Sequence, residues 1–370
     1  MKKYPFLSLI LLFALSMSLL PASAVVPGQE DLDLFCTHAV LLDANHGEIL
    51  YDMRATEKAY PASITKIMTA LLVLEAIEYG QLSLDTPITA GETRMQGVTY
   101  SYVNGNIKLG EVLTAEELLY MTLLPSYADA CNILAVAVDG TIEDFVDHMN
   151  RKAAELGCQN THFTNPVGIH NENHYSTPYD LALIMKACLE YDTFLRIAQT
   201  PKYTLRATEM SGPREMYNSN ALVSTWNHSG YLYEKCIGGK TGNTDEAGRC
   251  LVAAAEDNDE ILISVVIGSG PMPVPGEEDL KQGHFRESKR LLEYGFNNFQ
   301  RVTITKDSEP VETVKVTMSR QADEVNVKPQ GSITRTLPKS MDLNDIETKI
   351  TLYAKEVEAP VEAGQVMGIM

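Results

Sequence analysis

Apolar positions along this chain fall into two rhythms, and their order predicts the architecture. Ala39-Val40-Leu41-Leu42-Asp43 and Gly47-Glu48-Ile49-Leu50-Tyr51 predict two strands around a turn at Asn45-His46-Gly47. Pro61-Ala62-Ser63 then opens an apolar run through Leu74. Proline near a first turn, with serine at the start, predicts a helix N-terminus there. From Thr114 to Ala137 the pattern is helical, broken at Pro125, with the second segment starting at about Asp129. Ile142 to Leu156 predicts another helix, closed by Gly157, and Tyr179 to Glu190 a further one. Between them, Asn165 to Pro178 is a polar loop rich in Asn and His.

After Lys235 the rhythm becomes that of strands: Cys236 to Lys240, Gly248 to Ala255 and Ile261 to Ile267. Asp257-Asn258-Asp259 predicts the hairpin between the last two. Glu287 to Phe296 closes this part as a helix. The order is β, mostly α, then β with a closing helix, which predicts an α/β domain: a sheet covered by helices, with a helical subdomain inserted. From 301 onward, segments such as Val302-Thr303-Ile304-Thr305 and Val314-Lys315-Val316-Thr317 alternate like short strands, so 301–370 reads as a small β-rich domain. It stops at Gly368-Ile369-Met370, inside an expected strand without a closing partner, so the chain reads as truncated.

Lys2 and Lys3, the apolar stretch Phe6 to Leu20 and the small residues Ala22-Ser23-Ala24 predict a secretory signal peptide over 1–24, and hence export. The apolar run is short for a spanning helix. A net charge of −19 without a Lys/Arg run argues against nucleic-acid binding. Six cysteines in 370 residues make neither a disulfide scaffold nor a zinc motif. Cys236 and Cys250 are placed to face each other across a hairpin, but free buried thiols are the expected state. No metal or cofactor is predicted.

Three short motifs carry the chemistry: Ser63-Ile64-Thr65-Lys66, Ser126-Tyr127-Ala128 and Lys240-Thr241-Gly242. Each alone is weak; a Ser-x-x-Lys arises by chance about once in a chain this long, and a lone Ser126 is more often a helix cap. Order and context raise their weight, since the first two open helices and the third ends a Gly-lined strand. A serine hydroxyl needs a base, and a neutral lysine one helical turn away can serve. Burial and a nearby cation such as Lys240 lower a lysine pKa. The backbone N–H groups of Ser63 and Asn243 are natural oxyanion donors. Gly238, Gly239 and Gly242 would let an extended peptide approach that strand and add to its edge. Lys240 and Thr241 would hold its terminal carboxylate, and Ser126 would pass a proton to the leaving amine.

These segments resemble the serine D-alanyl-D-alanine carboxypeptidases, low-molecular-mass penicillin-binding proteins. Tyr60 to Ala70 (YPASITKIMTA) resembles the family's nucleophile segment. Asn165-Pro166-Val167-Gly168, followed by His174-Tyr175-Ser176-Thr177, resembles its N-P-x-G and Y-S-T stretch. Gly238 to Val252 (GGKTGNTDEAGRCLV) is similar to its K-T-G hairpin. The resemblance implies a β-lactamase/transpeptidase-like fold at 25–300, a β-rich domain at 301–370, and no cofactor. It implies Ser63 as acyl-ester nucleophile, Lys66 as its base and Ser126 as a second serine. Lys240, Thr241 and Gly242 would bind the D-Ala-D-Ala end of a peptidoglycan stem peptide. β-Lactams would acylate Ser63, and the enzyme would work at the cell wall or the outer face of the membrane. Family members often end in an amphipathic helix on the membrane, and this chain stops before one.

Ala128 departs from the family's Asn, whose amide bonds substrate backbone and the first lysine. Asn132, one turn on, reads as a helix-surface residue, and Asp129 as serving the helix N-terminus. A weakly active or non-catalytic cell-wall peptide binder is therefore the competing reading. A class A β-lactamase is a third, but Glu172 is the sole carboxylate between Asn165 and Thr177 and lacks that family's pattern.

Overall fold

The computed structural model describes residues 29, 31–99, 102–273 and 280–370. The expected signal peptide lies outside the described residues. Strands β1 (His38–Asp43) and β2 (Ile49–Met53) lead into a 3-10 turn at Ala62–Thr65 and helix α1 (Lys66–Glu78). Next come β3 (Pro87–Thr89), β4 (Val112–Thr114), α2 (Ala115–Leu123), α3 (Ala128–Asp139), α4 (Ile142–Glu155), α5 (Pro178–Leu189) and α6 (Asp192–Ala198). A hairpin of β5 (Lys202–Leu205) and β6 (Arg214–Tyr217) precedes β7 (Cys236–Thr244), β8 (Gly248–Asp257) and β9 (Glu260–Ser269). The short pair β10 (Pro271–Met272) and β11 (Lys281–Gln282) then gives way to α7 (Gly283–Asn298). The central sheet has the order β2-β1-β9-β8-β7 and is antiparallel throughout, with β7 at its edge.

Both faces of this sheet are covered. Val40, Leu42, Val252, Ala254, Ile263 and Val265 point into the large core shared with α1, α2 and α5. Their neighbours Ala39, Leu41, Leu251, Ala253 and Val266 point the other way, against Leu291 and Leu292 of α7. Period-2 alternation with two buried faces explains why these strands read as unbroken apolar runs. The β8–β9 turn falls where expected, with Asn258 and Asp259 at φ 52° and 64°, the left-handed pair that a two-residue hairpin needs. Thr114 caps α2 through a reciprocal bond with Glu117, Thr141 caps α4 and Thr177 caps α5.

Ser63 does not open an α-helix directly. It sits in the 3-10 turn, behind Ala62 at φ 46°, and α1 begins at Lys66. That turn is gripped from two sides. On β7, a Cβ at Gly242 would lie 2.9 Å from the Pro61 carbonyl oxygen and 3.2 Å from Ile64 N. On the Asn165 loop, Gly168 has φ +88°, and a Cβ there would run into the Ala62 carbonyl and come within 3.0 Å of Ser63 N. Gly238 is likewise pressed against Ala198, and Gly239 against Ala253 and Asn220. The glycines of this strand thus admit the protein's own elements, rather than the substrate approach expected from the sequence. The strand also continues to Thr244, so Lys240-Thr241-Gly242 lies within it and not at its end.

Cys236 pairs with Ala255 and Cys250 with Gly242, so the two cysteines do not face each other. Six residues of strand separate their positions, roughly 20 Å, against the ~7 Å limit for a bridge. All six cysteines are free.

Beyond α7, β12 (Phe299–Thr305), β13 (Glu312–Thr317), β14 (Glu324–Val327), β15 (Ile333–Pro338), β16 (Thr351–Leu352), β17 (Glu356–Glu358) and β18 (Gly368–Ile369) form small sheets, as the alternation predicted. The final strand does have a partner, since Thr351 pairs with Ile369. Thr336 Oγ1 donates to Asp43 Oδ2 at 2.5 Å and Arg335 meets Glu48 at 3.3 Å, tying this part to the β1–β2 turn. No helix among the described residues is long and apolar enough to cross a membrane.

Three outcomes follow. Electrophoretic mobility after alkylation will be the same with and without reductant. Gly168→Ala will cost about 2 kcal/mol or more in urea unfolding, from the left-handed backbone and the collision with Ala62. Gly140→Ala, at φ +82° with open space around it, will cost only the backbone part, about 1 kcal/mol.

Candidate active site

A cleft of about 380 Å³ opens beside the edge strand and collects the motifs. Ser63 and Lys66 line it from the 3-10 turn and α1, Ser126 and Ala128 from the α2–α3 junction, and Thr241, Gly242 and Asn243 from β7. A larger cavity of about 1270 Å³ in the C-terminal β region includes none of these residues.

Lys66 is the best-determined group. Its side chain is 1% exposed, and Nζ donates to Ser63 Oγ at 2.9 Å and to the Val167 carbonyl at 2.7 Å. Burial pushes its pKa below the 10.5 of a free lysine, against the smaller opposing effects of Cys131 and Asp129. The proton-poor amine this favours beside a hydroxyl is what a general base requires.

Lys240 is equally buried, and its Nζ donates to the Thr241 carbonyl at 3.0 Å. Burial first, and the Lys66 amine second, hold its pKa well below 10.5. It does not line the cleft. Thr241 does, with Oγ1 2.7 Å from Ser219 Oγ. Ser126 stands at φ 71°, and its buried Oγ has no hydrogen-bond partner among the described residues. A left-handed backbone and an unsatisfied buried hydroxyl thus meet on one residue at the cleft.

Ala128 is 1% exposed and packs with Cys131 and Val167. Asn132 is not a surface residue: it is 1% exposed, and Nδ2 donates to the carbonyls of Arg94 and Gln96. It pins the 94–96 turn and leaves no amide for the cleft. Asp129 accepts from the N–H of its own helix neighbour Ala130, but also from Gly105 and Ile107, anchoring the segment that carries Tyr102 and Val103 to the cleft rim. Glu172 is exposed and takes no part in the lining.

Several site-building residues lie in segments quoted above as family-like but were given no role there. Asn165 Oδ1 accepts from the N–H of Val167, Gly168 and Ile169 at 2.8–3.1 Å, shaping the loop that presents the Val167 carbonyl to Lys66. Thr69 Oγ1 donates to Pro166 O at 2.6 Å, fixing that loop to α1. His174 accepts at Nδ1 from Thr164 N–H, so its Nε2–H donates to Thr65 Oγ1 at 2.8 Å. Burial, helped by the charges of His162 and His170, lowers its pKa to about 3, keeping it neutral. Asn-Pro-x-Gly was the available signal, a tight turn with one left-handed position. Arg249, His228 and His284 also line the cleft, and nothing in the motif pattern pointed to them.

Comparison with known proteins agrees with this geometry. Residues 25–270 match the model of the D-alanyl-D-alanine carboxypeptidase family. Residues 299–370 match that of the penicillin-binding protein 5 C-terminal domain. The chain is 30% identical over 333 residues to the D-alanyl-D-alanine carboxypeptidase DacF of Bacillus subtilis, covering 90% of this chain and 80% of that one. It is 30% identical over 341 residues to DacC of Escherichia coli, covering 89% and 78%. Penicillin-binding protein 5 of Haemophilus influenzae superposes with a TM-score of 0.76 at 27% identity, over 92% of this chain and 93% of that one. With the serine–lysine pair, the edge strand and these likenesses together, the chain belongs to the D-alanyl-D-alanine carboxypeptidase family of serine peptidases.

Proposed function

We propose that this protein is an exported carboxypeptidase that removes the terminal D-alanine from peptidoglycan stem peptides through an acyl-enzyme on Ser63. The observation that carries the reading is the buried Lys66 amine 2.9 Å from the Ser63 hydroxyl, in a cleft bordered by a free strand edge. In this reading residues 1–24 direct export, 25–300 form the catalytic domain and 301–370 a β-rich domain behind it. The peptide's end lies along β7 as an added strand. Ser63 Oγ attacks the carbonyl carbon of the penultimate residue while Lys66 Nζ takes the hydroxyl proton. The N–H groups of Ser63 and Asn243 receive the oxyanion. The C–N bond breaks, the Ser126 hydroxyl gives its proton to the leaving amine and takes in its place the one that Lys66 holds, and D-alanine departs with Lys66 neutral again. Water then hydrolyses the ester. Thr241 meets the terminal carboxylate at the cleft, with Lys240 behind it and Gly242 keeping the strand against the nucleophile's turn. β-Lactams acylate Ser63 by the same attack.

A weakly active, peptide-binding relative is the second reading, and Ala128 favours it. The side chain offers no donor or acceptor where the family's amide would position substrate and lysine. Loss of one such contact costs on the order of 10²-fold in rate. The β-lactamase reading has less support, because Glu172 does not reach the cleft.

D-alanine release from a stem-peptide mimic will be abolished in Ser63→Ala, along with covalent labelling by a fluorescent penicillin. Ala128→Asn will raise release by up to about 10²-fold. Wild-type release no greater than that of Ser63→Ala would leave the binding reading standing.

The acylation rate will fall on the acid side along a single-proton limb with its midpoint below 10.5, because only the neutral Lys66 accepts a proton. Lys66→Arg, charged at every accessible pH, will show no acylation on that profile. The folded pKa is the lower one, so the unfolded chain binds the proton more readily. Stability contributed at this site is therefore lost as pH falls from 10.5 towards the folded value. A rate independent of pH would remove Lys66 from the base role.

A further inference from the structure

Trp226 is the single tryptophan of the chain, and it is 60% exposed. It belongs to none of the described core clusters. Its indole lies flat on the Tyr217 ring, with centroids 3.7 Å apart and planes 8° apart. One face of the indole is therefore covered and the other is left to solvent. Tyr217 is itself held. Its hydroxyl donates to Glu215 Oε2 at 2.8 Å, and Lys202 Nζ stands 5.2 Å from its ring centroid. The two rings form a fixed, flat aromatic platform, and both offer broad contact with few torsions to freeze.

Single exposed apolar residues are ordinary. Place and surroundings set this one apart. Asn227, the next residue, lines the catalytic cleft, and so does Ser219, two residues past Tyr217. The platform therefore stands on the rim of that cleft. Ser219 Oγ lies 2.7 Å from Thr241 Oγ1, so this rim is the one beyond the terminus of a peptide bound along β7. Such a peptide runs away from the platform, which leaves the platform to another part of the polymer. Around the indole, Thr225, Asn227 and Ser229 carry exposed hydroxyl and amide groups. The charges nearby are quenched. Lys202 pairs with Glu215, and burial, with the Arg249 charge adding to it, holds His228 towards the neutral form. An anion would ask for a free cation and an ammonium for a free carboxylate, and Lys202 and Glu215 hold each other. Neutral hydrogen-bonding groups around a flat aromatic face suit an uncharged ring with C–H bonds on its face and hydroxyls at its edge. A pyranose is such a ring: its C–H groups meet the negative π-face, and its hydroxyls meet the amide and hydroxyl side chains.

We propose that Trp226, backed by Tyr217, is a sugar-stacking subsite that holds an N-acetylhexosamine ring of a glycan strand at the rim of the cleft. The contact is noncovalent, and it tethers the enzyme to the polymer apart from the peptide in its cleft. The proposal takes its polymer from the carboxypeptidase reading above, and its test does not depend on turnover.

Tryptophan emission reports on this platform alone, since the chain has no other tryptophan. Titration of the wild-type protein with the hexamer of N-acetylglucosamine will change that emission saturably, and sorbitol at equal concentration will not. Tyr217→Ala, which keeps the reporter, will need a higher sugar concentration for the same response. In co-sedimentation with glycan strands stripped of their peptides, Trp226→Ala will bind about 3- to 10-fold more weakly, the scale of one ring contact. Trp226→Phe will recover most of that loss. No saturable change in emission would overturn the subsite, and this arm decides even where Trp226→Ala does not fold. Equal sedimentation of wild type and Trp226→Ala, with unchanged thermal unfolding, would also overturn it. So would an emission shift with phosphatidylcholine vesicles and none with the sugar, which would make the platform a membrane contact. If the sugar binds through Trp226 and wild type releases no D-alanine, the catalytic reading fails and the subsite stands. If D-alanine is released and the emission ignores the sugar, the reverse holds.

Discussion

A lysine amine with almost no exposed surface, caught between the Ser63 hydroxyl and the Val167 carbonyl, sets the conditions for the whole site. Burying a charged ammonium is expensive, so the interior that hides Lys66 also drives it towards the neutral form. That requires a wall on every side, and each wall is a different element. α1 supplies the lysine, and the 3-10 turn supplies the serine. The Asn165 loop supplies a carbonyl, and β7 presses on the turn through Gly242. The glycines at 168 and 242 are where those walls meet, since a single Cβ would force them apart. The neutral lysine and the fold are therefore one constraint: loosening the packing would let water and a proton back to the amine.

The layered fold was legible because its signals are local. Apolar runs marked β1, β2, β8 and β9, and the Cys236 to Lys240 segment marked the first part of β7. The small pairs β3–β4 and β5–β6 escaped, because strands of three or four half-exposed residues carry too little pattern. Ser63, Lys66 and Thr241 were found as motifs. The glycines of β7 were noticed and given the wrong neighbour. Which surface a glycine admits is settled by tertiary packing, and Gly242 faces Pro61 and Ala62 rather than open space. Asn132 failed for the same reason: helical spacing gives a direction, but not what lies in that direction. Arg249 drew no notice because the gap beside it, a buried Nη1 without a hydrogen-bond partner among the described residues, is nothing a sequence displays.

Ser126 and Ala128 bear on the rate from one junction, α2 to α3, in opposite ways. The Ser126 hydroxyl is buried, unpaired and carried on a left-handed backbone, costs of order 1–3 kcal/mol each in an ordinary structure. On the proposed mechanism its bond forms when a leaving amine arrives, so part of that cost is recovered only as the reaction proceeds, which is where catalysis gains. An amide at position 128 would add a second, directional contact from the same junction. The methyl group of Ala128 instead packs against Cys131 and against Val167, the residue whose carbonyl accepts from Lys66 Nζ. It offers a substrate neither donor nor acceptor. On the proposed mechanism the substitution therefore costs positioning of the peptide and leaves the burial of the amine in place.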